Sequence, residues 1–112
     1  MVSKDHFIGV DVGTGSARAG VFDRGGALLA SAKRDIALYR DGADIAEQSS
    51  DDIWGAVCAA VREAVTAAGV GAEAIAGIGF DATCSLVVLG PQGRPLAVGR
   101  HGDDRRNIIV WM

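Results

Sequence analysis

At 112 residues the chain has room for one small domain, and 49% apolar content with a formal charge of -3 fits a globular fold. Basic residues are scattered apart from Arg105 and Arg106 and aromatics are few, which argues against nucleic acid as a partner: there is neither a phosphate-tracking stripe nor a stacking platform. No apolar run approaches the roughly 20 residues of a membrane span, and Met1 to His6 lack the apolar core of a signal peptide, so the cytoplasm is the expected compartment and no membrane is expected as a partner.

Phe7 to Val12 reads as a first strand and Ala17 to Phe22 as a second. Between them Gly13-Thr14-Gly15-Ser16 reads as a hairpin turn able to cradle phosphate. Gly13 and Gly15 are free to take φ > 0 and to bring bare N–H groups onto an anion, and Thr14 and Ser16 add hydroxyl donors. Asp11 closes the first strand. A carboxylate beside a polyphosphate repels it, so the sensible partner of Asp11 is a hydrated Mg²⁺ bridging to a nucleotide. Arg18 can neutralise further charge, with a structural salt bridge as its alternative role. The dinucleotide fingerprint does not fit, because Gly13-Thr14-Gly15 runs into a strand and not into a helix opened by a third glycine. A Walker loop would need a Gly-Lys-Ser/Thr that is absent. An ordinary glycine hairpin is the remaining alternative.

Asp23 to Gly26 forms a turn into Ala27 to Ile36, a third strand that completes an antiparallel meander. Tyr39 to Gln48 carries Arg40, Asp41, Gly42 and Asp44 among few apolar residues and reads as an exposed loop. Ser49 or Ser50 offers an N-cap, Asp51 and Asp52 suit the first helical turn, and Gly69 a stop. Ile53, Val57, Val61 and Val65, flanked by Trp54 and Cys58, mark the apolar stripe of a helix of about 18 residues. Arg62 and Glu63 fall on its solvated face. Ala74 to Asp81 is a strand reached through this crossover helix, which predicts parallel pairing and a mixed sheet. Leu86 to Leu89 is another apolar run, and Gly90 to Leu96 a turn. Cys58 and Cys84 lack CxxC spacing and read as free thiols, Cys58 in the core and Cys84 at a strand end lining a pocket. His6 and His101 are isolated and read as solvated.

Three stretches resemble the FGGY carbohydrate kinases, within the superfamily of actin, hexokinase and the heat-shock chaperone ATPases. Gly9 to Arg18 resembles the family's first phosphate motif, Gly77 to Ser85 its sugar-side strand, and Asn107 to Met112 the approach to a Trp-x-Asp-x-Arg sugar-binding segment. Phe80-Asp81-Ala82-Thr83-Cys84-Ser85 is most like the ribulokinase and pentulose kinase branch, including ribitol-kinase-like members; glycerol kinases carry a Gln-Arg-Glu run there.

The resemblance implies an α/β fold of the actin-like ATPase (ribonuclease H-like) type, with a mixed sheet, an antiparallel meander and a crossover helix, forming half of a two-domain kinase. Residues 1–112 are then its amino-terminal domain, incomplete at the C-terminal end, since the chain stops just before the expected aspartate of Trp-x-Asp-x-Arg. The implied activity is transfer of the γ-phosphoryl group of ATP, with Mg²⁺, to a hydroxyl of a pentulose such as ribulose. Asp11 would be the catalytic metal-binding carboxylate, Gly13, Thr14, Gly15, Ser16 and Arg18 the phosphate-binding group, and Asp81, Ala82, Thr83, Cys84 and Trp111 the sugar wall. A helix or turn cap is the alternative for Asp81, and core packing for Trp111. Gln48 stands where the family brings polar residues toward substrate. Expected partners are the sugar or polyol, a second kinase domain that carries the general base and adenosine site and, as one option, a second copy in a homodimer of the parent. Kinases for xylulose, ribitol or glycerol, a non-catalytic actin-like or chaperone-like ATP-binding module, and a bare folding or interaction unit are the competing readings.

Overall fold

The computed structural model describes residues 2–111. Apolar alternation sets the first sheet. Ile8, Val10 and Val12 of β1 (His6–Val12) and Ala17, Ala19 and Val21 of β2 (Ser16–Phe22) are all buried, while the residues between them face the other side. The two strands pair antiparallel from Phe7↔Phe22 to Val12↔Ala17, and β3 (Leu28–Asp35) adds to β2 with a register shift at Val21/Phe22.

Helix α1 (Ser50–Ala68) crosses over this meander and packs on β3, β2 and β1. Its ends carry the expected signals. The Ser49 hydroxyl accepts from the Asp52 N–H at 3.2 Å, and Gly69 ends the helix at φ 70, where any side chain would be strained. The buried positions are Val57, Ala60 and Ala64, spaced three and four apart, while Ile53, Val61 and Val65 pack around them half-buried. Alanine on the helix over Ala17 and Ala19 on the sheet lets the backbones approach closely. Trp54 is 62% exposed, and Cys58 is half-buried, not a core residue as its place on the stripe predicts. Glu63 and Arg62 are exposed as expected, with Glu63 reaching Arg34 of β3.

The crossover delivers β6 (Ile75–Ala82) parallel to β1, giving the sheet order β3-β2-β1-β6 and the predicted mixed sheet. At this edge Ile78 and Phe80 are exposed on the side shared with Ile8 and Val10.

A second four-stranded sheet, absent from the sequence reading, accompanies the first. Tyr39 to Gln48 is no exposed loop: β4 (Tyr39–Asp41) and β5 (Ile45–Gln48) form a hairpin around Gly42 at φ 75, and Ala46, Glu47 and Gln48 are buried. β8 (Ile108–Ile109) joins β5 to β7 (Leu86–Val87), the ordered core of the apolar run to Leu89. Polar residues made this region read as loop, and in the fold they satisfy one another. Glu47, 4% exposed, accepts on Oε1 from Arg106 Nε at 2.9 Å and from His101 Nε2 at 2.7 Å. Arg106 Nη2 also donates to Asp41 at 2.6 Å, and its guanidinium lies 5.1 Å over the Tyr39 ring. The hydrogen bond to Asp41 raises the Arg106 pKa above its ordinary value. His101 is therefore a hydrogen-bonded partner in this clasp and not a solvated residue. Asn107, fully buried, accepts from the Ser50 N–H at 2.9 Å and donates to the Ser50 hydroxyl and the Val88 carbonyl, tying α1 to this sheet. Among the described residues no helix is long and apolar enough to cross a membrane.

Candidate phosphate and sugar site

The β1–β2 turn is built differently from its expected form. Neither Gly13 nor Gly15 has positive φ, and the Gly13 N–H donates to the Ser16 carbonyl at 2.9 Å, so Gly13 closes the hairpin and offers no free donor. The N–H groups of Thr14 and Gly15 have no partner among the described residues, and a Cβ on Gly15 would meet nothing within 4 Å. Glycine here keeps the approach to bare backbone open; it does not relieve a left-handed conformation. The carbonyls of the same stretch are anchored: Thr14 accepts from Gln48 Nε2 at 2.7 Å, and Gly15 from the Ile36 N–H at 3.1 Å.

Cross-strand register assembles a charged row beside this turn. Arg18 of β2 stands opposite Asp11 of β1, Asp11 opposite Asp81 of β6, and Lys33 of β3 beyond Arg18. All four lie on the face away from α1 and are exposed, because their neighbours Val10, Val12, Ala17 and Ala19 take the buried face. Among the described residues Asp11, Arg18 and Asp81 form no ion pair or side-chain hydrogen bond, so neither a structural salt bridge for Arg18 nor a cap for Asp81 is found. Two carboxylates on neighbouring strands, about 5 Å apart at the backbone, are a hard-oxygen donor set suited to a cation such as Mg²⁺. A cleft of about 540 Å³ opens from this row, floored by Gly9, Gly20 and Gly79.

Past the row, the Thr83 N–H donates to the Val12 carbonyl at 3.2 Å, extending the pairing of β6 toward the turn. Ala82, Thr83 and Cys84 are exposed, and Cys84 is a free thiol. The Ser85 hydroxyl accepts from the Trp111 N–H at 3.0 Å and lies 3.4 Å from the Thr83 hydroxyl, so the sugar-side strand and the tryptophan segment meet. Trp111 is 74% exposed and lies outside the core formed by the described residues. Met112, the last residue of that approach, lies outside the described residues.

Asp41, Glu47 and His101 also gather ligand atoms within 4.8 Å of one another. Arg106 already pairs with both carboxylates there. His101 Nδ1 accepts from the Asp103 N–H at 2.9 Å while Nε2 faces Glu47, so both ring nitrogens are engaged and no ligand position is left for a metal. Sequence reasoning missed this clasp, whose partners stand 54 to 65 residues apart. It also missed the partner of Gln48, which donates to the turn while lining a small pocket with Ala82, Thr83 and Ser85.

The mixed sheet and crossover helix define the class, an actin-like ATPase fold. Residues 6–111 match the model of the FGGY family of carbohydrate kinases, N-terminal domain, and the chain belongs to that family. It is 48% identical over 107 residues to an FGGY carbohydrate kinase domain-containing protein of Homo sapiens, covering 96% of this chain and 19% of the relative. A D-ribulokinase of Saccharomyces cerevisiae is 47% identical over 108 residues, 95% of this chain and 15% of that protein. Among solved structures, the xylulose kinase from Rhodospirillum rubrum superimposes with a TM-score of 0.75 at 26% identity, over 94% of this chain and 20% of the other. The chain thus spans about a fifth of the length of the relatives it matches.

Proposed function

We propose that the protein carrying this chain is a cytoplasmic kinase that phosphorylates a sugar or polyol hydroxyl with ATP, and that its substrate is a pentulose such as ribulose. The observation that carries this reading is the unpaired row Arg18–Asp11–Asp81 beside the free N–H groups of Thr14 and Gly15. Charged groups left without protein partners on one exposed face of a sheet are available to ligands, and their signs divide in a useful way. Thr14 and Gly15 N–H groups, the hydroxyls of Thr14 and Ser16, and Arg18 suit phosphoryl oxygens. Asp11 suits Mg²⁺, which when bound would neutralise charge on the transferring group. Asp81, with Thr83, Cys84 and the open face of Trp111, forms the wall toward the sugar, where a carboxylate accepts hydroxyl hydrogen bonds and Ala82 leaves room.

In the transfer, the bond from the γ-phosphorus to its bridging oxygen breaks, a bond to the sugar oxygen forms, and the hydroxyl proton leaves to a base outside this chain. Residues of this domain contribute alignment and charge neutralisation, the main requirements of phosphoryl transfer. The ribulokinase assignment draws on the Asp81-Ala82-Thr83-Cys84-Ser85 phrase and on the identity with the yeast D-ribulokinase. Coupled measurement of ADP release by the full-length enzyme, with D-ribulose, D-xylulose, ribitol and glycerol compared at saturating Mg-ATP, tests it. The expected result is the highest kcat/KM with ribulose. No sugar-dependent release with any of the four would overturn the kinase reading, and preference for another acceptor would replace the substrate.

A further inference from the structure

Gln48 is 1% exposed, closes β5, and pairs across the second sheet with Ile108, three residues before Trp111. Its side chain leaves that sheet and donates from Nε2 to the carbonyl of Thr14 at 2.7 Å, in the turn of the first sheet. The acceptor fixes the amide orientation, because a carbonyl cannot receive from Oε1. A trans peptide is planar, with its C=O and N–H directed oppositely. Holding the Thr14 carbonyl inward therefore directs the N–H of the same peptide unit, that of Gly15, outward. That N–H is unpartnered, and the space at Gly15 is open. Glycine on one side of the unit lowers the resistance to a peptide flip, so the orientation needs an anchor. The next unit is held in the same manner, by the Ile36 N–H on the Gly15 carbonyl.

We infer that Gln48 is a positioning residue for the phosphate turn: it locks the Thr14–Gly15 peptide in the orientation that presents the Gly15 N–H to a phosphoryl oxygen. Through its pairing with Ile108 of β8 it also ties that turn to the strand that leads to Trp111. This rests on the kinase reading, and it gives Gln48, which also lines a small pocket with Ala82, Thr83 and Ser85, a role toward the nucleotide.

The test uses the full-length enzyme and three variants. Gln48→Met keeps the length without a donor, Gln48→Glu sets a carboxylate against the Thr14 carbonyl, and Gln48→His restores an N–H. MgADP affinity by calorimetry should weaken about five- to a hundredfold in Gln48→Met and Gln48→Glu, the span expected for leaving a buried carbonyl unpaired. The sugar Michaelis constant should stay within about twofold, and Gln48→His should recover part of the nucleotide affinity. In the wild type, independent of any variant's folding, the glycine-labelled ¹⁵N–¹H signal of Gly15 should shift on adding MgADP. An unmoved Gly15 signal in an enzyme that binds MgADP, or equal loss for nucleotide and sugar, would overturn the role of Gln48 alone. A wild-type enzyme without MgADP binding would overturn the kinase reading and this inference together.

Discussion

The two sheets use charge in opposite ways. In the second sheet Asp41, Glu47, His101 and Arg106 are drawn together until each has a polar partner, and the result is a clasp between the β4–β5 hairpin and the segment before β8. In the first sheet Asp11, Arg18 and Asp81 stand in register on one exposed face and stay unpaired. Paired charges in a buried setting hold a fold; unpaired ones beside open backbone donors are free for ligands. The difference predicts that substitutions in the clasp act on stability and substitutions in the row act on chemistry.

The largest effect is expected in the clasp. Glu47→Ala leaves Arg106 and His101 without their shared acceptor and should cost about 3–5 kcal/mol of stability, read from the urea midpoint at unchanged slope. Replacing Glu47 and Arg106 together by Leu and Met should recover most of that loss, since desolvation of both charges disappears with them. Next comes the row: Asp11→Asn should lower kcat in the full-length enzyme about 10²- to 10³-fold with little change in thermal midpoint, as for removal of one electrostatic stabiliser of a transition state. Asp81→Ala should act less and elsewhere, raising the sugar Michaelis constant about ten- to a hundredfold, the effect of losing a hydrogen bond to a charged acceptor.

The smallest effect concerns pH. The Arg105 side chain, through its hydrogen bonds, lowers the Asp103 pKa from 3.8 to about 2. A depressed carboxylate pKa contributes stability that is fully present above the unfolded value and is lost as pH falls through the folded one. Order in the segment around Asp103 should therefore decline between about pH 4 and pH 2. Asp103→Asn should remove that step from an NMR titration of the neighbouring amides.

Legibility in the sequence follows the same division. β1, β2, α1 and β6 were readable because their signals are local: alternation in Ile8, Val10 and Val12, caps at Ser49 and Gly69, and a crossover that enforces parallel pairing. The row was half-readable. Asp11 stands out where a strand runs into the glycine turn and Asp81 through the family resemblance, but only the register of β1 on β6 sets them side by side. The second sheet was not readable, since the burial of Glu47 depends on His101 and Arg106, more than 50 residues away. Composition marks such a segment as loop whenever its charges are counted without their partners. The turn taught a finer lesson: Gly13 and Gly15 pointed to the right place, while the donors are set by which carbonyls are anchored, and those anchors come from Gln48 and Ile36.

Steady-state kinetics of full-length Asp11→Asn and Asp81→Ala, with sugar varied at saturating Mg-ATP, tests the central claim most directly. Asp11→Asn should show a kcat defect with near-normal sugar affinity, and Asp81→Ala a raised sugar Michaelis constant with a smaller kcat defect. Asp11→Asn changing only sugar affinity, or Asp81→Ala leaving every sugar constant untouched, would contradict the division of this row between phosphate and sugar.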